Sequence, residues 1–475
     1  MSLTRKIVLN TAVNLAGQGA SYLLGAVSMI LTMRYLGPET FGSYGLVLVY
    51  VGIVSGLAEL GGQIILVREI NQRPEESSKI IGNFILLKAA LYLLAFVLGL
   101  GATWLMGYKG DMRFLLVLGL TAMLISFPVS VGAVFQARLK MWFSVAINFS
   151  AKLLALSAVL LMIWLKRGLE LMLWGNIVIA LMSAVVYWVL IHKWEKPDYH
   201  PDRSLILDLL SQSLPIGVLL LVGGLVLRSD VLLLSKMSDP LSLGLYTAAY
   251  KYVEWGLLVV TGLLISHLPV FSQYLKSEPE KVRRLFRVSF EIIGLFLIPA
   301  SIFVGLNAAE LIRLVSGPLY VEGSLALAVL IWVVLLNVWN TMAVNILIAG
   351  HKMKELLYLY FPVMAINIIV NYIGIPRFGF KVCAVSSVLS EILAVVPLFM
   401  MMKKWYGLSP AWLNTIKQLL LSIVAAIPIL LFPAASIIAR AGVYIIAWLA
   451  LGVIIKVLDI DRLKDIYNKT RGQTC

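Results

Sequence analysis

The sequence predicts an all-α, polytopic membrane protein of about 14 transmembrane helices, arranged as two parallel six-helix lobes followed by a C-terminal helix pair. Three observations lead there. First, 61% of the 475 residues are hydrophobic and only 13% are charged, with a mean hydropathy of +0.94. A water-soluble domain of this length cannot bury so much apolar surface, so most of the chain must face lipid. Second, the apolar residues fall in successive runs of about 20, the length that crosses about 30 Å of hydrocarbon as a helix. Third, a hairpin near the start returns in the second half.

That hairpin is Leu31–Tyr50, LTMRYLGPETFGSYGLVLVY, and its copy is Leu233–Tyr252, LLSKMSDPLSLGLYTAAYKY. At one common offset, Pro38 meets Pro240, Gly42 meets Gly244, Tyr44 meets Tyr246 and Tyr50 meets Tyr252, with Arg34 opposite Lys236. Proline stops one helix and opens the next, while glycine and tyrosine suit close packing near the membrane interface. A duplicated helical half is a common build for secondary transporters.

Taken in order, the predicted spans of the first lobe (residues 1–192) lie near 8–33, 41–66, 80–105, 114–136, 143–165 and 169–191. A polar linker, HKWEKPDYHPDRS, covers His192–Ser204, with its core at 193–204. The second lobe (205–404) holds spans near 208–235, 242–271, 287–306, 323–349, 356–376 and 380–402. A final pair within 405–457 lies near 413–432 and 436–457, and a charged tail occupies 458–475. With the N-terminus in the cytoplasm, about 25 Lys/Arg fall in cytoplasmic segments and about 10 outside, as the positive-inside rule requires. Both termini are then cytoplasmic in a multi-pass cell-membrane protein. The basic segment KSEPEKVRRLFR at Lys276–Arg287 reads as an amphipathic helix on the inner leaflet. Six spans is an even number, so the second copy starts on the same side as the first, and the repeats are parallel.

Several chemistries are excluded. The net charge of +15 is what cytoplasmic loops carry, and no basic, aromatic-bearing soluble module points to nucleic acid. Two cysteines, Cys383 and Cys475, build no disulfide framework, and the four histidines have no metal-ligand spacing. No phosphate-binding G-x-x-x-x-G-K-[ST] loop occurs, so ATP is not a direct drive, and no cofactor is implied. No nucleophilic triad stands out. The outer loops are short, the longest about 307–323, which disfavours a membrane-embedded glycan polymerase or ligase.

Polar side chains inside the spans mark interior surfaces. Asn10, Asn14, Gln18 and Ser21 share a stripe in span 1, and Ser55, Glu59 and Gln63 recur every four residues in span 2. Span 7 carries Arg228 and Asp230, and span 8 carries Lys251 and Glu254. Asn337, Asn340, Thr341 and Asn345 line span 10, Asn367 and Asn371 span 11, and Glu391 sits near the middle of span 12. Lys88 and Lys152 lie about eight or nine residues inside spans 3 and 5, where they either face the interior or snorkel to the inner headgroups. Lys251 and Glu254 either serve a site or pair within a turn. The asparagines are substrate contacts or interhelical glue. Arg228 lies too deep to snorkel, leaving a cavity role or a structural ion pair with Glu254 or Glu59. Glu59, Asp230, Glu254 and Glu391 are the carboxylates open to H⁺ or Na⁺ coupling. With Lys88, Lys152, Arg228 and Lys251 against Glu59, Asp230, Glu254 and Glu391 deep in the spans, the interior suits a ligand bearing both an anion and hydroxyls.

The N-x-x-x-Q of span 1, the R-Y-L-G-P-E-x-F-G-x-Y-G hairpin from Arg34 to Gly45, the D-x-L-L-L-S…G-L-Y-x-A-A-Y run from Asp230 to Tyr250 and the A-G-H-K-M-K turn at Ala349–Lys354 together resemble the polysaccharide transporter (Wzx-type) family of lipid-linked oligosaccharide flippases. That family falls in the multidrug/oligosaccharidyl-lipid/polysaccharide (MOP), MATE-like superfamily, and the similarity spans about residues 5–405. The resemblance implies two six-helix lobes in a V, with spans 1, 2, 7 and 8 lining the cavity. It implies a polyprenyl diphosphate bearing an oligosaccharide as substrate, alternating access without enzymatic chemistry, and membrane lipids as surroundings. It also admits other glycan-assembly membrane proteins as partners. The last helix pair resembles the two extra helices of the peptidoglycan lipid flippase, which form a groove for a lipid tail. One departure matters: that flippase has an arginine cluster in spans 1 and 2, and this chain has none. The substrate contacts expected here are Arg228, Lys251, Lys88, Lys152, Asn14, Gln18 and Asn367. A cation-coupled multidrug extruder of the same fold is the alternative.

Overall fold

The computed structural model describes residues 3–264, 271, 273–275, 277–432 and 435–454, without the side chains of 3–16, 259 and 261–264. Among the described residues the secondary structure is helical throughout, and 11 helices are long and apolar enough to cross a membrane, or up to 12 if one bent pair counts as a single span. The first of these, Gly17–Gln72, contains the predicted second span and the first from residue 17 onward. The predicted eighth span, 242–271, runs into residues outside those described, as does the tail.

The chain packs as two compact units: Met1–Ala248 with Tyr360–Phe380, and Ala249–Leu359 with Lys381–Cys475. Unit 1 opens with α1 (Leu3–Glu59), which leaves helical geometry at Gly37 (φ 70°, ψ 170°), immediately before Pro38. Proline restarts the helix without loss, since its missing N–H would have had no partner in a first turn. A second break follows. Leu60 (φ 42°) and Gly61 (φ 67°) are both left-handed, and the chain continues as α2 (Gly62–Gln72). The predicted second span, 41–66, is therefore interrupted at Leu60-Gly61. After α3 (Ser77–Leu105), the fourth span is also divided, into α4 (Gly110–Ile125), α5 (Phe127–Ser130) and α6 (Ala133–Ala137). The bend there is 47°, at Ser126-Phe127-Pro128, where proline cannot donate to the preceding turn. Next come α7 (Met141–Trp164), α8 (Leu169–Glu195) and α9 (Arg203–Met237).

Helix α1 packs along α7, α3, α9 and α4. The two hairpin copies touch each other where α10 (Pro240–Leu264) begins. A Cβ on Gly42 would lie 2.7 Å from the Pro240 oxygen and from the Gly244 nitrogen, and one on Gly244 would strike the Pro38 carbonyl. Gly45 likewise faces Thr247. Equivalent positions of the copies thus contact one another reciprocally, the pattern a twofold relation produces.

The linker is strapped to the start of α3. Asp198 N–H donates to the Ser78 carbonyl at 3.0 Å. The Asn83 side chain accepts from Asp202 N–H at 2.7 Å and donates to the His200 carbonyl at 3.2 Å. Lys79 pairs with Asp202 at 2.7 Å and holds its carboxyl well below the usual carboxylate range, together with the Ser204 and Leu205 cap bonds. A depressed carboxyl contributes stability above its ordinary pKa and loses it only as pH falls through the lowered value. Arg138 closes the same end with a bidentate pair to Glu195.

Unit 2 holds α11 (Pro279–Leu306), α12 (Ala308–Val315), α13 (Ser324–Ala349), most of α15 (Phe380–Tyr406), α16 (Trp412–Leu431) and α17 (Ile437–Ile454), with α14 (Met353–Phe378) shared between the units. The basic stretch expected as a separate surface helix forms the first turns of α11 from Pro279 onward. Val282, Phe286 and Phe290 are buried on one side of it, while Arg283, Arg284 and Arg287 are exposed. An amphipathic start lets one helix enter the core without a break. Phe286, Phe290, Trp339, Phe399 and Trp412 form an aromatic nest in which Phe290 stacks on Trp339 at 4.4 Å between ring centroids.

Candidate functional site

The break in span 2 creates the first cluster, in unit 1. Helix α1 ends at Glu59, so its last carbonyls have no intrahelical donor. Lys88, on α3 and only 1% exposed, supplies one ammonium to three acceptors: the carbonyls of Ala58 (3.0 Å) and Glu59 (2.6 Å), and Glu59 Oε2 at 3.1 Å. Tyr92 donates to Glu59 Oε1 at 2.6 Å. Lys88 is the twelfth residue of α3, deeper than the expected eight or nine, and neither snorkels nor stands open. It caps a helix end and balances a carboxylate.

Also in unit 1, Asp230 is fully buried and accepts from the Tyr246 hydroxyl. Ser229 donates to Asn367 Oδ1 at 3.0 Å, and Asn371 donates to the same oxygen at 3.0 Å. The span-11 asparagines, buried at 1% and 0%, act as interhelical glue between α9 and α14. Arg228 lies beside these residues on α9 and is half-buried. Gln18 and Lys152 are exposed, and the side chain of Asn14 lies outside the described residues. A cleft of about 950 Å³ opens where α1 breaks at Gly37, bounded by Glu39, Asp111, Arg167, Glu170 and Trp174.

In unit 2, Lys251 donates to Glu254 at 2.8 Å within one turn of α10. Glu391 on α15 is 3% exposed. Asn337 donates to its Oε1 at 2.8 Å and Asn340 to its Oε2 at 2.9 Å. Two neutral amides from α13 thus serve a buried carboxylate that has no ion pair among the described residues. Glu59, by contrast, has its charge balanced by Lys88. Between α11 and α17 runs a groove of about 460 Å³ with an almost wholly apolar wall, including Phe296, Pro299, Phe303, Tyr444, Trp448 and Leu449. Arg440 anchors α17 beside it, donating to Asn307 Oδ1 at 2.8 Å and pairing with Glu310.

Sequence reasoning missed the Leu60–Gly61 break, the Tyr92 and Tyr246 hydroxyls and the pairing of Lys88 with Glu59. The Gly61-Gly62 doublet after Glu59 was the available signal for the break.

A multi-pass helical bundle with interrupted spans and buried intramembrane carboxylates has the architecture of a membrane transporter. Residues 7–275 match the family model described as "Polysaccharide biosynthesis protein". The chain belongs to that family. Its fold is similar to that of the lipid II flippase MurJ in an inward closed conformation, with a TM-score of 0.77 at 15% identity over 94% of this chain and 98% of that one. It is also similar to an inward-facing multidrug resistance MATE family transporter of the MOP superfamily, with a TM-score of 0.62 at 17% identity over 81% and 95% of the two chains. The Vibrio cholerae MATE transporter VcmN in its bent form gives 0.57 at 16% identity over 85% and 97%. No curated protein sequence matches the chain.

Proposed function

We propose that this protein is a flippase that moves a polyprenyl-diphosphate-linked oligosaccharide from the inner to the outer leaflet by alternating access of its two repeated lobes, 1–192 and 205–404. The observation that carries the reading is the apolar groove between α11 and α17. A polyprenyl tail need never leave hydrocarbon, whereas a diphosphate and sugars cannot cross it unaided. A protein for such a substrate needs a polar route for the head and an apolar track for the tail. Membership of the polysaccharide biosynthesis family agrees with a saccharide cargo, and the similar fold that reaches 94% of this chain belongs to a protein named a lipid flippase.

In this reading Arg228 contacts the diphosphate, because a guanidinium offers phosphate oxygens a fork of donors that strengthens where water is scarce. Glu391 exchanges the coupling H⁺ or Na⁺, since its partners among the described residues are neutral amides. Glu59 and Glu254 each pair with a lysine, which makes them weaker carriers, and Asp230 accepts from the Tyr246 hydroxyl. The test is the lipid that co-purifies with the protein, together with flipping in proteoliposomes. A bound polyprenyl-diphosphate sugar and loss of flipping in a folded Arg228→Ala variant, with partial rescue by Arg228→Lys, support the reading. No such lipid, with transport stimulated by cationic drugs, would favour the extruder. An Arg228→Ala protein that flips at the wild-type rate removes arginine from the site.

A further inference from the structure

Four basic side chains, Lys88, Lys152, Arg228 and Lys251, lie deep within the predicted spans, and the surroundings of the lysines separate them. Lys88 is enclosed by Glu59 and the end of α1, and Lys251 is paired with Glu254. Lys152 differs from both. It is the twelfth of the 24 residues of α7, so roughly 17 Å of helix separates it from either end. That is too deep for a four-carbon stem to carry its ammonium to a headgroup layer. Yet Lys152 is exposed and has no hydrogen-bond or ionic partner among the described residues.

The surrounding surface includes small and polar residues of both α1 and α7. Gly17 of α1 faces Val145 of α7, and Gly25 faces the Lys152 stem, whose Cδ lies 3.9 Å from where a Cβ on Gly25 would be. The two helices therefore run in the same direction, and the glycine leaves room for the lysine to cross α1. Asn148, one turn earlier, is also exposed and lies about 40° from Lys152 around the helix. The exposed leucines Leu154 and Leu161 lie about 160° to 180° away. Exposed Phe149 and Leu153 lie about 60° and 100° from Lys152, so the lysine and Asn148 form a polar edge beside α1, on which Gln18 is exposed too. A charged group at mid-membrane in such a place marks a ligand route.

We propose that Lys152 and Asn148 on α7, beside Gly25 of α1, form a contact point for phosphate oxygens of the lipid-linked diphosphate as its head group crosses the membrane. The proposal rests on the flippase reading. Lys152 supplies a compact positive charge, and Asn148 an amide that donates to phosphate or to a neighbouring sugar hydroxyl. The same phosphate chemistry is offered by ordinary phospholipid headgroups, so the experiment separates the two sources.

The full chain, purified in detergent, is titrated with geranyl diphosphate and, separately, with short-chain phosphatidylglycerol, and melting temperatures are recorded alongside. The expected result is that Lys152→Ala weakens geranyl diphosphate binding by roughly tenfold or more, with Lys152→Arg close to wild type and Asn148→Ala intermediate. Melting temperatures should stay unchanged, because Lys152 has no partner to lose among the described residues. Wild-type diphosphate affinity in Lys152→Ala overturns this proposal and leaves the flippase reading standing. A loss confined to phosphatidylglycerol also overturns it, assigning Lys152 to bilayer lipid. Failure of the wild-type protein to bind the diphosphate removes the flippase reading and this proposal together.

Discussion

Replacing Lys88 with methionine separates a structural role from a substrate role, and the structure sets the scale. The change keeps the bulk of the stem but removes the donors to Ala58 O, Glu59 O and Glu59 Oε2, at 3.0, 2.6 and 3.1 Å. Breaking a buried ion pair by deleting one partner costs about 3–5 kcal/mol. Here Glu59 is 28% exposed and keeps its bond from Tyr92, which lowers the penalty on the carboxylate. Two helix-end carbonyls still lose their donor, at about 1 kcal/mol or more each. The net expectation is about 3 kcal/mol of destabilisation. Thermal unfolding of the purified protein, followed by tryptophan fluorescence, should show a drop of several degrees. A Lys88→Met/Glu59→Gln double variant should recover part of it, because no unpaired charge remains. If Lys88→Met instead unfolds at the wild-type temperature and loses diphosphate binding, the capping argument is wrong and Lys88 is a ligand to substrate.

Glu391→Gln should leave the protein folded, since the amide fills the same space between Asn337 and Asn340, but its transport should lose its dependence on pH or Na⁺. If Glu391→Gln and Glu59→Gln transport both keep the wild-type ion dependence, coupling lies elsewhere. Gly244→Val should fail to accumulate as folded protein, because its side chain would meet the Pro38 carbonyl, an overpacking worth about 1–3 kcal/mol or more. An unchanged melting temperature in that variant would show that the two hairpin copies do not make the close contact.

How far the fold was legible depended on which physical quantity each feature expresses. The repeated hairpin could be read because its determinants are local: Pro38 and Pro240 open helices, and Gly42 and Gly244 leave backbone bare. Those small residues then meet each other in space, which explains why neither copy carries a side chain there. The breaks in spans 2 and 4 were hidden for the opposite reason. Hydropathy reports the surroundings of a residue and not the continuity of its backbone, so the apolar runs 41–66 and 114–136 read as unbroken. The basic turns opening α11 were misjudged as a separate helix, because charge pattern alone does not mark where a helix ends.

The candidate site shows the same division more sharply. Lys251 and Glu254 could be paired on paper, since three positions on a helix bring side chains together. Lys88 and Glu59 are 29 positions apart, and the amides on Glu391 come from 54 and 51 positions away. No spacing rule reaches that far, so the sequence alone could not sort these charges by partner. Tertiary packing sorts them by partner. A charge enclosed by an opposite one is held in place and has little left to offer a ligand. Glu391 and Lys152 meet no opposite charge among the described residues, one buried between amides in unit 2 and the other open beside Gly25 in unit 1. A charge at mid-membrane is costly, and one that is not balanced by the fold needs balance from something that arrives. For a carboxylate that is a cation; for an ammonium it is an anion such as a phosphate, and the proposed flippase cycle would supply both.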